Sequence, residues 1–278
     1  MTAERSWIPD VFTAELKFLA DLDQPLVYIP SKGGGDETEH QGNFASYEVE
    51  IRNAREELPS TSLDVQGFRL VSQQTRVGDF YDDAEIGSVY HVEVTTLLKS
   101  LTGAQRVEIF DDTRRASSHE VQTRRKIREP ANIVHNDYTA RSGIKRLQDH
   151  FADRPDEAGQ LLEQRFAIIN VWRSIAGTIS DYPLVMCDAT TVRPEDHISM
   201  ERRAEERVGE LQVALYHPEQ RWYYYPAMQM DEALIFKTFD SAEDGRTRFT
   251  PHSSCKDPTA PADASPRESI ETRCLVFF

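Results

Sequence analysis

Only three cysteines occur in the 278 residues, Cys187, Cys255 and Cys274. An odd number at unrelated spacings argues against a disulfide framework, and no Cys-x-x-Cys pair offers a structural zinc site; a reducing, cytoplasmic setting is the expectation. No segment approaches the roughly 18 consecutive apolar residues that crossing a bilayer requires. Met1 to Asp21 lacks the basic-then-apolar pattern of a secretion signal. Positive charge is also short, with 32 Lys and Arg against 47 Asp and Glu and a net charge of −15. Such a field repels a phosphate backbone, so neither nucleic acid nor membrane is an expected partner. No internal repeat is visible.

Apolar residues make up 39% of the chain and aromatics 9%, enough to fill a sizeable core. A single β-rich domain with extensions is the better prior at this length. Residues 1–90 read as an N-terminal extension packing on a core of residues 91–278. Ser31 to Asp36 (SKGGGD) is a turn or loop, and Glu48 to Glu57 carries dense mixed charge. Val92 to Leu101 has helical apolar spacing, with Gly103 where a C-terminal cap belongs. Arg106 to Phe110 is a short strand, and the charged run Asp111 to Arg115 after it reads as a solvated edge. A helical insert covers about 142–165: Ser142 can cap, Ile144, Leu147 and Phe151 follow at spacings of three and four, Pro155 interrupts, and Ala158 to Gln164 resumes.

Strands then dominate. Phe166 to Trp172, Leu211 to Tyr216, Trp222 to Tyr225, Ala233 to Phe239 and Ile270 to Phe278 are rich in β-branched and aromatic residues. His217 to Gln220 marks a hairpin turn. The expected fold is mainly β, an antiparallel sandwich or barrel with helices packed outside it.

His135-x-Asp137 ends a short apolar run. In an extended strand residues i and i+2 share a face, so an imidazole nitrogen and a carboxylate oxygen can meet one ion. A third ligand has to come from elsewhere, and His252 leads. Two imidazoles and one carboxylate on one face of an iron leave three positions open. Fifteen residues after His252, Arg267 opens the last strand, where Arg267, Ser269, Glu271 and Arg273 alternate onto one face. An arginine inside a barrel is costly unless it meets an anion, and a dicarboxylate such as 2-oxoglutarate would supply one.

The ordered set His135-x-Asp137, His252, Arg267-x-Ser269 resembles the Fe(II)/2-oxoglutarate-dependent dioxygenases with a double-stranded β-helix, a jelly-roll, cupin-like core. More narrowly, Leu101–Ala104, Val134–Asp137, Ile169–Arg173, Met186–Ala189, Tyr223–Pro226, Phe236–Ser241 and Ser265–Arg273 are similar to phrases of a mostly fungal group of secondary-metabolite hydroxylase/desaturases. That group includes the aspergillic-acid hydroxylase/desaturase, gibberellin desaturase-like proteins and the cephamycin 7-alpha-hydroxylation protein. The resemblance implies Fe(II) on His135, Asp137 and His252, with 2-oxoglutarate and O2 as cosubstrates. Arg267 and Ser269 would grip the far carboxylate of 2-oxoglutarate. Hydrogen abstraction from a C–H bond of a small metabolite would give hydroxylation, desaturation or oxidative cyclisation, with succinate and CO2.

Further expected site residues are Asn170, Arg173, Lys237 and Tyr138 toward the substrate, and Arg273 as a second anion contact. Asn170 and Arg173 have opposite strand parity, so only one faces the cavity unless the strand is bulged. Arg173 could instead pair with Asp188 or Asp181, Lys237 could snorkel to solvent, and Arg273 could pair with Glu271. Two rivals stand beside the oxygenase. A cupin-like metal-dependent isomerase or lyase would not need Arg267 with Ser269, and a non-catalytic β-sandwich binding protein would give His135 and His252 no reason to meet. A homodimer is the base-rate expectation for association.

Overall fold

The computed structural model describes residues 8–204 and 207–278. Its strands form two sheets. The larger has ten strands in the order β1 (Val11–Leu19), β4 (Phe44–Asn53), β12 (Trp222–Tyr224), β9 (Leu184–Cys187), β14 (His252–Ser254), β7 (His135–Asn136), β11 (Arg207–Ala214), β10 (His197–Ala204), β2 (Val27–Ile29) and β3 (Glu39–Gln41). The smaller runs β5 (Phe68–Ser72), β13 (Glu232–Asp240), β8 (Phe166–Ser174), β15 (Glu268–Phe277) and β6 (Arg106–Ala116). The fold is thus mainly β, with the large curled sheets of a jelly roll.

Strand β8 shows why these residues pair as they do. It reads Phe-Ala-Ile-Ile-Asn-Val-Trp-Arg-Ser and is buried along its whole length, because it lies between β13 and β15 with both faces covered. On the outer face Ala167, Ile169 and Val171 meet Val94 and Leu98 of the helix His91–Thr102. Each of the larger of these side chains contributes roughly 1.5–3 kcal/mol on burial. The helix ends where expected, at Gly103 with φ 72°. On the inner face, Trp172 packs with Met186 and Tyr223 of the larger sheet. The space between the sheets holds the site.

Several boundaries differ from the sequence reading. Strand β6 does not stop at Phe110 but runs on through the charged segment to Ala116. It is the edge strand, and its charges find partners: across the ladder Asp111 takes Arg273 and Asp112 takes the Thr272 hydroxyl, while Arg114 donates to the carbonyl of Phe80, outside the sheet, at 2.6 Å. The helical insert comprises Ala140–His150 and Pro155–Leu162. Thr139 is its N-cap, and Ser142 is the third residue of a reciprocal capping box. Gly143 lets this helix press onto β13, since a Cβ there would lie 2.6 Å from the Phe239 ring. Residues 11–72 supply strands to both sheets: β4 pairs with β12, β2 with β10, and β5 with β13. In β4 the charged stretch alternates with buried Val49, Ile51 and Asn53.

Candidate metal centre

Strands β7 and β14 lie side by side in the larger sheet with His135 opposite His252. Their rings are 4.4 Å apart between centroids. Ligand atoms of His135, Asp137 and His252 all fall within 4.8 Å of one another, and His135 Nε2 is 3.6 Å from Asp137 Oδ1. Each imidazole bonds through Nδ1 to the carbonyl two residues earlier, Ile133 at 2.9 Å and Thr250 at 3.0 Å. A carbonyl only accepts, so Nδ1 carries the proton and Nε2 keeps its lone pair. Burial, reinforced by the neighbouring His252, pushes His135 down to about 4, and burial also lowers His252. Both rings are therefore neutral at pH 7, as a metal ligand must be.

The carboxylate is held just as firmly. Asp137 Oδ2 accepts from Arg273 Nε at 3.0 Å and from Asn170 Nδ2 at 2.8 Å. Oδ1 is left beside His135. Burial works against the charge on Asp137, but Arg273 above all, helped by the Asn170 hydrogen bond, outweighs it and holds the group well below the usual carboxylate range. Two neutral imidazoles and one ionised carboxylate are the donor set of a non-haem Fe(II) centre with open positions.

Arg267 has another character. It is 1% exposed. Its guanidinium donates to Ser269 Oγ at 3.1 Å, the Tyr182 carbonyl at 3.1 Å and Ser254 Oγ at 2.8 Å, and it lies over the Trp172 ring at 4.9 Å. Among the described residues no carboxylate lies within ion-pair distance of it. Burial, with Arg115 nearby, pushes its guanidinium down to about 9. A buried cation in that state calls for an anion.

Comparison with known proteins agrees. A family model described as Oxidoreductase/YMDC permease-like domain matches residues 16–277. Hydroxylase/desaturase CTB9 of Cercospora beticola is 34% identical over 279 residues, covering 90% of this chain and 84% of its own. The Fe(II)/2-oxoglutarate-dependent dioxygenase nvfI of Aspergillus novofumigatus is 30% identical over 290 residues, covering 100% of this chain and 99% of its own. Among solved structures, the iron and alpha-ketoglutarate-dependent endoperoxidase NvfI superposes with TM-score 0.84 at 28% identity, over 96% of this chain and 98% of that one. The chain belongs to the Fe(II)/2-oxoglutarate-dependent oxygenases. Among the described residues no helix is long and apolar enough to cross a membrane.

The remaining expected site residues of this oxygenase divide by strand face. Asn170 points inward, bridging Asp137 and Glu271 Oε1, the latter at 2.8 Å. Arg173, of opposite parity, points outward to the Gln73 carbonyl at 2.8 Å and lies near the Tyr90 and Phe80 rings. It meets neither Asp181 nor Asp188. Lys237 is also turned outward. A bulge between Lys237 and Phe239 brings Asp240 to the same side, where the two pair at 2.8 Å. Lys237 does not snorkel; it is 1% exposed and also contacts Asp64. Arg273 is engaged by carboxylates of the chain itself, Asp137, Asp111 and Glu271, the last at 2.6 Å. Tyr138 lines the cavity above the triad.

That cavity, of about 260 Å³, opens over His135 and Asp137 and contains residues the sequence reading did not single out: Arg128, Arg146 and Arg202, with Arg115 from the run taken as a solvated edge. Their positions are scattered over three elements and the segment after the helix His119–Arg125, and no spacing announces them. Asn136 was passed over too. Its amide donates to the carbonyls of Tyr138 and Thr238 and to Gln212 Oε1, and its oxygen accepts from the Thr250 backbone at 3.0 Å. It thereby ties the His135 strand to the segment that presents His252. The signal was its place between the two ligands of one triplet.

Proposed function

We propose that His135, Asp137 and His252 hold the Fe(II) of this oxygenase and that Arg267 with Ser269 receives the far carboxylate of 2-oxoglutarate. The observation that carries the reading is the orientation of the three ligand groups. Each has its outer atom bonded away, to Ile133, to Thr250 or to Arg273 and Asn170, so that the free atoms converge on one point. When bound, Fe(II) with 2-oxoglutarate would activate O2, whose reduction, coupled to conversion of 2-oxoglutarate to succinate and CO2, would supply the oxidising power for a C–H bond of a small metabolite. A cupin-like isomerase or lyase would leave the buried charge of Arg267 without a purpose.

The residues of the chain do the rest. Arg267 binds, with its planar fork matched to a carboxylate and Ser254 and Ser269 fixing its direction. Arg273 and Asn170 orient Asp137. Phe236, 4.7 Å from the His252 ring, walls one side of the triad, and Tyr138 lines the cavity over it. The product is a hydroxylated, desaturated or cyclised metabolite. We further assign residues 91–278 to the oxygenase core and residues 1–90 to an N-terminal extension packing on it, and a cytoplasmic setting, which the buried free thiols of Cys187, Cys255 and Cys274 support.

The test is metal content after equilibrium dialysis against Fe(II) under anaerobic conditions. Wild-type protein should retain one equivalent, while His135→Ala and Asp137→Ala should retain little and form no succinate. Full iron retention by both variants, shown to be folded, would overturn the ligand assignment.

A further inference from the structure

The cavity over the triad is out of character with the chain. The protein carries a net charge of −15, yet beside Arg273, which carboxylates already engage, four further arginines converge on this one opening: Arg115 of β6, Arg128 in the segment after the helix His119–Arg125, Arg146 of the helix Ala140–His150 and Arg202 of β10. All four are half-buried. None has a carboxylate within ion-pair distance among the described residues. Arg115 donates to a backbone carbonyl, that of Glu129, at 2.7 Å. Arg146 lies over the Phe110 ring at 5.0 Å with a buried Nε that has no partner.

The carboxylates nearby are already engaged. Asp111 is taken by Arg273, Glu210 by Arg141 and Thr139, and Glu129 by Ser31 and Thr38. Asp137 belongs to the metal triad. Burial and the charges of Arg115 and Arg202 hold the Arg128 guanidinium below its ordinary value. Like charges gathered in a half-buried opening destabilise the empty protein, and an oxyanion bound among them relieves that repulsion. Guanidinium forks are also the groups best matched to a planar carboxylate or to phosphate. Arg267 does not belong to this group, since it is fully buried and is not among the residues lining the cavity.

We propose that Arg115, Arg128, Arg146 and Arg202 form an oxyanion-binding mouth through which this oxygenase selects a small acidic substrate, carrying a carboxylate or phosphate group that docks at the cavity entrance. The inference rests on the iron and cosubstrate assignment above. A cavity of about 260 Å³ sits at the small end of ligand sites, so the acid is a compact metabolite. The mouth holds the charged end and leaves an uncharged carbon to face the triad.

The test uses protein loaded with Zn(II), which is redox-inert, and titrated first with 2-oxoglutarate and then with naphthyl probes read by their fluorescence. 2-Naphthoate and 2-naphthyl phosphate carry the charge; 2-naphthamide has the same ring without it. At least one anionic probe should bind ten-fold or more tightly than the amide, and the tighter of the two names the acid. Arg128→Gln/Arg202→Gln should erase the preference and leave 2-oxoglutarate affinity within two-fold; Arg202→Gln alone, the milder change, should reduce it at least three-fold. Equal binding of amide and anions, or an unchanged preference in both variants, overturns the proposal. So does a parallel loss of 2-oxoglutarate binding, which would give the arginines to the cosubstrate. Failure of the underlying reading shows separately, as no 2-oxoglutarate binding in the first titration.

Discussion

Replacing Arg267 by Met separates binding from folding. Met keeps an unbranched side chain over Trp172 but removes the charge. In the cosubstrate-free protein, burial holds the guanidinium down to about 9 from an ordinary 12.5, a difference that corresponds to ~5 kcal/mol. A guanidinium stays protonated at any pH the fold survives, so that pressure is a folding cost. Against it stand three hydrogen bonds donated by the charged group, to Ser269, Tyr182 and Ser254, at about 1.5 kcal/mol each, and the contact with Trp172, worth about 0.5–1 kcal/mol. The two sides nearly cancel. Arg267→Met should therefore leave the unfolding free energy of the empty protein within ~1 kcal/mol of wild type, by urea titration. With 2-oxoglutarate the outcome differs, because two charge-assisted bonds of about 1.5–3 kcal/mol each disappear. Calorimetric titration of Zn(II)-loaded protein should show affinity weakened by ~100-fold or more. Empty protein destabilised by ~3 kcal/mol, with 2-oxoglutarate affinity unchanged, would mean that Arg267 is a structural residue and would refute the reasoning.

Arg273→Leu and Asn170→Ala each remove one of the two donors to Asp137 Oδ2, and such supporting contacts are typically worth 10–100-fold in metal affinity; competition with a chelator checks this, and unchanged affinity in both contradicts it. Asn136→Ala strands the carbonyls of Tyr138 and Thr238 and the Thr250 N–H, so urea unfolding should report a loss of ~2–4 kcal/mol. Gly143→Ala drives a methyl group into the Phe239 ring and should cost ~1–3 kcal/mol, lowering Tm. Asp240 is held below its ordinary 3.8: burial opposes its charge, but Arg165 and Lys237 outweigh that. Its contribution is full above that value and fades as the pH falls through the lower folded one. Asp240→Asn should be less stable than wild type at pH 7, and the gap should narrow on acidification below about pH 4; a gap that stays constant to pH 2 contradicts the assignment.

The sequence carried the chemistry further than the architecture. His135, Asp137 and His252 were legible because strand alternation puts i and i+2 on one face and because iron chemistry demands that donor set. Arg267, Ser269, Glu271 and Arg273 share a face as their spacing requires, with Arg267 buried and Arg273 half-buried against the interior. Strands β8, β13 and β15 were visible as apolar runs since both of their faces are covered. Strand β4 was not, because one of its faces is exposed and its charged residues mask the buried alternate ones. Lys237 and Arg173 looked like inward cations because sequence shows that a charge interrupts an apolar strand but not which face it takes. A bulge at Thr238, visible only in the pairing, then sets Asp240 on the same side as Lys237 and so gives the buried lysine its partner. The arginines of the cavity mouth come from elements far apart in sequence, and only the fold brings them together.

The central claim is that the three ligands and Arg267 assemble one iron and 2-oxoglutarate site. Anaerobic addition of Fe(II) and then 2-oxoglutarate tests it most directly. The protein should develop the weak visible charge-transfer absorption of the chelate at one equivalent of each, and release succinate when air is admitted. Absence of the band in folded protein, with no succinate on aeration, would contradict the account.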